Sequence, residues 1–529
     1  MFIAAIFAAF LLFAACEQQG GILRDEDATL KTLSVDSGTL SPAFSSSHSE
    51  YRVPVRNGVN SITITAQANS NNATVSGAGT EKLVVGSNPL SIVVTAENGD
   101  SKTYTITVMR HDGSVKGIQS AADMTRIGVE DDWSPVGNYR LENDITLADW
   151  RPIGDEENPF GGVFDGNKKK ITLIGFDRTV LSETYLGIFG YAKGDSASEK
   201  AEIKNLTVDS SVNATGTAQA VGLVTGYAEM AEIENITLTG TFAYTSASTN
   251  YAGGAAGWIR GEETIIKNCN SDITMNIIPG QSVTLVPRVL SYSYVGGFAG
   301  IFTEGAGIEN CHNTGDITAD NAANAVSGQV FVGGIAGGSA YGFSTEYNGY
   351  IRDSSFTGIL IGRAQGYWTF AGGIAGVICG GNVNNNQTTT RVERCFVSGT
   401  VSNQGDKSGY PYIGGVVAYN YYGALVSQSY FNGTIISGGK TNLYACGGVV
   451  GYHSQFTAPN NSRVEECYSG GTANINNGAL VVGTTAGSAL APVRCYTVTG
   501  SQLQTYYEGW DFTNVWKMGA DGYPQLKWQ

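Results

Sequence analysis

Residues 294–318 read Tyr294-Val295-Gly296-Gly297-Phe298-Ala299-Gly300, then Ile308-Glu309-Asn310-Cys311, then Gly315-Asp316-Ile317-Thr318. The same succession returns along most of the chain. Its Gly-rich string ends at positions 190, 226, 257, 300, 337, 376, 418, 451 and 487, in steps of 31 to 43 residues that average about 37. The second string follows as Ile203-Lys204-Asn205-Leu206, Ile233-Glu234-Asn235-Ile236, Ile266-Lys267-Asn268-Cys269 and Ile351-Arg352-Asp353-Ser354. It continues as Val392-Glu393-Arg394-Cys395, Val426-Ser427-Gln428-Ser429, Val464-Glu465-Glu466-Cys467 and, shortened, Val493-Arg494-Cys495. A fixed period of three short strand-like pieces, with the length variation gathered before the Gly-Gly string, is how a solenoid coil behaves. Glycines in register let the chain turn sharply and let backbones approach closely. The apolar residue beside them then stacks on its copy one coil away, at the ~4.8 Å spacing of paired strands. This predicts a right-handed parallel β-helix of about nine repeats. A propeller blade has a similar period but needs four alternating strands and closure.

Working outward, residues 30–110 change character. Tyr51, Val53 and Val55 alternate, as do Ile62, Ile64 and Ala66, and Tyr104, Ile106 and Val108. Period two means one buried and one wet face. Asn98-Gly99 between residues 90–96 and 102–109 is a hairpin signal. The reading is a small antiparallel β-sandwich. The whole chain is therefore expected to be all-β: an antiparallel sandwich followed by a parallel β-helix. Residues 111–184 form the opening cap and first coils, with a short helix around 121–127. Residues 185–500 hold the repeats. Residues 501–529, with Trp510, Trp516 and Trp528, are expected to lay aromatic rings over the last coil, since an uncovered coil end invites edge-to-edge association.

The N-terminus points to an address. Residues 2–15 are an unbroken apolar run, too short to span a bilayer, which takes about 20 residues. They fit the apolar core of a secretory signal. Ala14-Ala15-Cys16 closes the run at a shift to polar residues, and residues 16–29 read as a tether.

Two stretches resemble known families. Leu30-Lys31-Thr32-Leu33-Ser34-Val35, Leu40-Ser41-Pro42-Ala43-Phe44, Gly86-Ser87-Asn88-Pro89-Leu90 and Tyr104-Thr105-Ile106-Thr107-Val108 resemble the bacterial cadherin-like β-sandwich domain. The Gly-Gly-x-Ala-Gly string resembles the GLUG motif of bacterial surface proteins, in nine copies over residues 185–500. Ala14-Ala15-Cys16 resembles a bacterial lipobox, with Phe13 where Leu is preferred and no Lys or Arg before Arg24. These resemblances imply a lipoprotein: a signal peptide over residues 1–15, lipid on Cys16, and anchorage to the cell envelope or outer membrane with exposure at the cell surface.

Composition limits the chemistry. Net charge is −15 with Lys+Arg at 31 and Asp+Glu at 46, which opposes phosphate backbones, so no nucleic-acid partner is expected. Of eight Cys, five (Cys269, Cys311, Cys395, Cys467, Cys495) share one repeat position. Ser, Leu and Ile replace them elsewhere, which suits a buried thiol ladder better than disulfides. Cys379 and Cys446 are the remaining pair. Neither zinc spacing nor an acidic calcium cluster is present, so no metal or other cofactor is expected. His48, His111, His312 and His453 have no partner at catalytic or ligand spacing, and no His-Glu-x-x-His occurs, although some GLUG proteins resemble IgA-cleaving metallopeptidases. Asp131-Asp132 is read as a chain turn in the opening cap.

No catalytic residues are therefore assigned. The candidate binding residues are the aromatics Trp368, Tyr419, Tyr421 and Tyr422, which, if exposed, would grip a glycan or a surface protein together with the Asn-rich loop 382–387. The expected function is that of a non-enzymatic adhesion or binding scaffold. The alternatives are a polysaccharide-degrading β-helix enzyme and a purely structural spacer.

Overall fold

In a computed structural model the described residues are 24–246, 251–280, 292–321, 329–339, 348–364, 368–380, 389–404, 411–437, 445–455, 462–474, 481–487, 490–500, 502 and 504–527. The signal and Cys16, the loop 382–387 and Trp528 lie outside them.

The repeat winds into parallel sheets. One coil illustrates all. Strand Tyr292–Gly296 runs into a bend at Gly297-Phe298, and strand Ala299–Thr303 leaves it. After a turn come Gly307–Glu309, His312–Asn313 and Ile317–Asp320. Each piece pairs in parallel with its equivalents one coil before and one coil after. Stacking these pieces builds an eight-stranded sheet, a nine-stranded sheet and one long third face. This is a parallel β-helix. The inward position of the third face stacks Ile266, Ile308, Ile351, Val392, Val426 and Val464 in unbroken register. Burying each such side chain contributes about 1.5–3 kcal/mol.

Close approach explains the glycines. A Cβ on Gly296 would stand 2.1 Å from the carbonyl of Ala299, inside its own bend. One on Gly297 would stand 2.2 Å from the carbonyl of Gly334 in the next coil. The same two collisions recur at Gly333 with Gly334 and at Gly414 with Gly415. The first glycine makes the corner, and the second sets how closely successive corners stack.

The third position of the Ile-x-Asn-Cys string has a backbone cause. Asn205, Asn235, Asn268 and Asn310 all take left-handed φ, as do Asp353, Arg394, Gln428, Glu466 and Arg494 in later coils, between 47° and 56°. Asn visits this region most easily of the non-glycine residues. The side chains there form a ladder: Asn235 Nδ2 donates to Asn205 Oδ1 at 3.1 Å, and Asn310 Nδ2 to Asn268 Oδ1 at 2.7 Å. In the following position each thiol or hydroxyl donates to the carbonyl two residues back, as from Cys269 to Lys267 at 3.1 Å and from Ser354 to Arg352 at 2.8 Å. It also accepts an N–H from the preceding coil: Cys311 N donates to Ser354 Oγ at 3.1 Å and Cys395 N to Ser429 Oγ at 3.2 Å. The seven described cysteines form no disulfide with one another, and all but Cys495 are buried.

The sandwich holds two sheets, one of strands 30–35, 61–68 and 79–82, the other of 50–55, 74–76, 86–95 and 101–110. Pairing is antiparallel except between Glu50–Val55 and Ser101–Arg110, which run parallel. These two strands are joined by most of the domain rather than by a hairpin, so no tight turn imposes their direction. Asn98-Gly99 does form the tip of the last hairpin, with Gly99 at φ 97°.

The two parts are bolted together. Arg56 donates through Nε to the Gly161 carbonyl at 2.9 Å, reaches the Lys200 carbonyl, and pairs with Glu199 at 3.3 Å. Arg52 of the sandwich pairs with Asp131 of the opening cap. In that cap, helix Ala121–Met124 is followed by turns, and Trp133 stacks on Tyr139 with Arg126 4.4 Å over its ring.

Residues 504–527 pack on the last coils from the side, where Tyr506 lies 6.1 Å from Tyr496 and Val498 joins the same cluster. They form a strap along the outer flank of the third face, covering Phe396, Tyr430 and Tyr468 with Tyr507, Trp510 and Trp516. Trp510 Nε1 donates to the Glu466 carbonyl at 3.0 Å, and Gln428 Nε2 to the Gly509 carbonyl at 3.0 Å. The reason is a row of outward aromatics, Phe396, Tyr430, Tyr468 and Tyr496, stacked in register on that flank. The rings cover those apolar faces, while Leu490, Val493 and Tyr496 near the chain's last coil remain 41 to 49% exposed.

Candidate ligand-binding face

The bend at each Gly-Gly string turns the eight-stranded and nine-stranded sheets toward one another on the outside of the helix. Two outward rows meet in that corner. The residue two before the first glycine supplies one row: Tyr185, Ala220, Tyr251, Tyr294, Phe331, Phe370, Tyr412 and Ala445. The residue after the string supplies the other, with Tyr191, Tyr227, Trp258, Tyr419 and Tyr452 among its members. The rings form a continuous chain of contacts over eight coils. Tyr191 stacks on Tyr227 at 4.5 Å, Phe331 on Phe370 at 4.6 Å and Phe370 on Tyr412 at 4.6 Å.

All four aromatics expected from the sequence belong to this column. Trp368 lies 6.1 Å from Tyr412, Tyr419 lies 5.1 Å from Tyr421, and Tyr421 lies 5.5 Å from Tyr422. Their exposure differs from the expectation. Tyr419 and Tyr421 are only 4% exposed, because they pack into the column instead of standing clear of it. Burial pushes the Tyr421 phenol up to about 12. Trp368 and Tyr422 are half-buried at its margin.

A second half-buried stretch of the corner lies at Tyr185, Tyr251 and Trp258. Polar side chains frame it. Tyr227 Oη donates to Glu229 at 3.0 Å, and Glu229 pairs with Lys193 at 3.3 Å. Arg260 pairs with Glu304 at 2.7 Å, and Trp258 Nε1 donates to Thr303 Oγ1 at 2.9 Å. Burial raises the Tyr191 and Tyr227 phenols, so both stay protonated donors. The chemistry on offer is that of a binding surface: aromatic area edged by fixed donors and acceptors. Among the described residues no group of three or more His, Cys, Asp and Glu could hold a metal ion. The second row is written in the sequence only as the residue after each Gly-rich string, in Gly190-Tyr191, Gly226-Tyr227 and Gly257-Trp258, and later copies blur it with Ile301, Gly338 and Val377.

Comparison with known families adds to this geometry. Residues 30–111 match the family model of a cadherin-like beta sandwich domain, and residues 291–318 match that of the GLUG motif. The chain carries a cadherin-like β-sandwich domain and a GLUG motif. The matched GLUG segment is the coil described above, and the other copies repeat its strands and its corner in register. Both domains fit a surface or binding protein. No curated protein matches the chain. Among solved structures it is similar to a "putative immunoglobulin A1 protease" from Bacteroides ovatus, at 18% identity over 79% of this chain and 94% of that one, with a TM-score of 0.35. So loose a likeness carries no argument about function.

Proposed function

We propose that this protein is an exported bacterial surface scaffold, held to the envelope by lipid on Cys16, whose β-helix presents a non-enzymatic binding face for a glycan or protein ligand. The aromatic column in the Gly-Gly corner carries this reading. Its half-open stretch at Tyr185, Tyr251 and Trp258 pairs aromatic area with a fixed polar frame. The apolar run 2–15, closed by Ala14-Ala15 just before Cys16, supports the anchor, and several acyl chains on one residue hold a protein to a membrane durably. The cadherin-like sandwich, bolted on through Arg56, serves as a stalk.

The test is incubation of the purified chain with glycan and protein arrays. Retention without product supports the scaffold. New reducing ends, unsaturated sugars or cleaved protein would replace it with an enzyme. Radiolabelled palmitate incorporated by the native chain and lost in C16A checks the anchor.

A further inference from the structure

Steep ring angles occur at several places on the aromatic column, as between Tyr185 and Tyr191 at 65° and between Trp368 and Phe370 at 80°. Among coil-to-coil neighbours within the two rows, however, the sharpest turn falls at one coil. Upstream, Tyr191 and Tyr227 are nearly parallel, at 22°. Downstream, Tyr294, Phe331, Phe370 and Tyr412 follow one another at 21°, 20° and 11°. In these stretches ring covers ring. Between them the order breaks. Trp258 stands at 78° to Tyr227, Tyr251 at 82° to Trp258, and Tyr251 at 68° to Tyr294. Edge-to-face contacts leave ring faces that a parallel stack would cover. The row is also interrupted one coil earlier, where Ala220 replaces an aromatic. Trp258 is fixed in this turned position by its hydrogen bond to Thr303.

The charges nearby narrow the ligand. Glu229, Glu304 and Glu156 surround the corner against Lys193 and Arg260. Each of the two bases is already paired with a carboxylate. An anionic ligand would meet a surplus of negative charge and no uncommitted base among these groups. A hydroxyl-bearing, uncharged ring suits them better. Its C–H face lies on the indole, and its hydroxyls donate to the carboxylate oxygens.

We propose that Trp258 and Tyr251 form a stacking platform for an uncharged pyranose ring, so that this face takes neutral or N-acetylated glycans in preference to uronate-rich or sulfated ones. The proposal rests on the reading of the corner as a binding face and names its ligand class.

The experiment is affinity electrophoresis of the whole soluble chain through gels carrying hydroxyethyl cellulose, glycol chitin or polygalacturonate. Retardation is expected in at least one of the first two gels and not in the third. Trp258→Ala should weaken it about tenfold, the size of one aromatic stacking contact. Trp258→Phe, which keeps a ring face, should restore most of it. Equal migration of wild type and W258A in all three gels would overturn the proposal, and so would retardation by polygalacturonate alone or recovery only of protein ligands. Those results leave the scaffold reading standing. It falls separately, on the appearance of cleaved product.

Discussion

Arg394 grips Asp353 across adjacent coils with two parallel hydrogen bonds, Nε to Oδ1 at 2.6 Å and Nη2 to Oδ2 at 2.7 Å. Both residues are in the left-handed region, at φ 52°. They occupy the rung that Asn fills in earlier coils. The strain of that conformation is offset here by a charge pair in place of an amide ladder. A left-handed residue with a Cβ costs roughly 1–2 kcal/mol, and a β-branched one more. Arg394→Asn is therefore expected to be nearly neutral, because it returns the rung to the Asn type. Arg394→Val should lower stability by at least ~2 kcal/mol, adding backbone strain to the lost pair. Urea midpoints of the two variants check this. Equal midpoints would mean that the left-handed rung does not set the residue choice.

Repeat, period and strand type were open to reading in the sequence because each is a local pattern copied nine times. The Gly-Gly corner and the Cys rung each recur at one position in copy after copy. What stayed hidden was relational. Phe396, Tyr430 and Tyr468 are far apart in sequence and become one outward row only when coils stack, and that row draws residues 504–527 onto the flank. Tyr419 and Tyr421 look like exposed aromatics one at a time. Only the meeting of two sheets at the corner shows that their rings are taken up by Phe370, Tyr412 and Tyr452.

The glycine argument predicts a sharp contrast. A Cβ on Gly414 would stand 1.8 Å from the Val417 carbonyl, whereas one on Gly175 meets nothing within 4 Å. Neither glycine has a left-handed φ, so space alone separates them. Gly414→Ala should cost at least the ~3 kcal/mol upper range of overpacking, or leave the chain unfolded. Gly175→Ala should change stability little. Thermal unfolding followed by circular dichroism decides it, and a tolerated Gly414→Ala would refute the close-packed corner.

Thiol chemistry should follow the rung. Burial raises the Cys311 and Cys395 thiols and pushes Cys446 up to about 12. Among the described cysteines only Cys495 is partly exposed, and the Cys467 side chain bonded to it lowers its titration. Thiolates react and thiols do not. A native chain treated with a thiol-specific reagent at pH 8 should label Cys495 ahead of the six buried thiols. In denaturant seven thiols should titrate if Cys16 carries lipid, and eight if it does not. Cys395→Ser should keep the fold, since Ser354 and Ser429 make the same hydrogen bond in the coils on either side. Rapid native labelling of several cysteines would contradict the buried ladder.

Acid should loosen the last coils through His453. Its ring is fully buried. Nε2 donates to the Leu490 carbonyl at 3.1 Å, which fixes the proton there, and Nδ1 accepts from Asn420 Nδ2 at 3.2 Å. Protonation would place a second N–H against that amide group. The Asn420 amide cannot turn its oxygen inward without losing its own bond to the Arg463 carbonyl at 3.0 Å. Burial holds the folded pKa below the ordinary value of 6.5, so the unfolded chain binds the proton more readily. The stability contribution is then complete above about pH 6.5 and declines as pH falls below it. His111 and His312 are displaced in the same direction, again by burial, and add to the slope. Urea midpoints should hold steady from pH 8 to 7 and fall between pH 6.5 and 5. His453→Gln, which can both donate and accept, should flatten part of that fall while leaving the share of the other two. Identical slopes in the variant and the native chain would remove His453 as a cause.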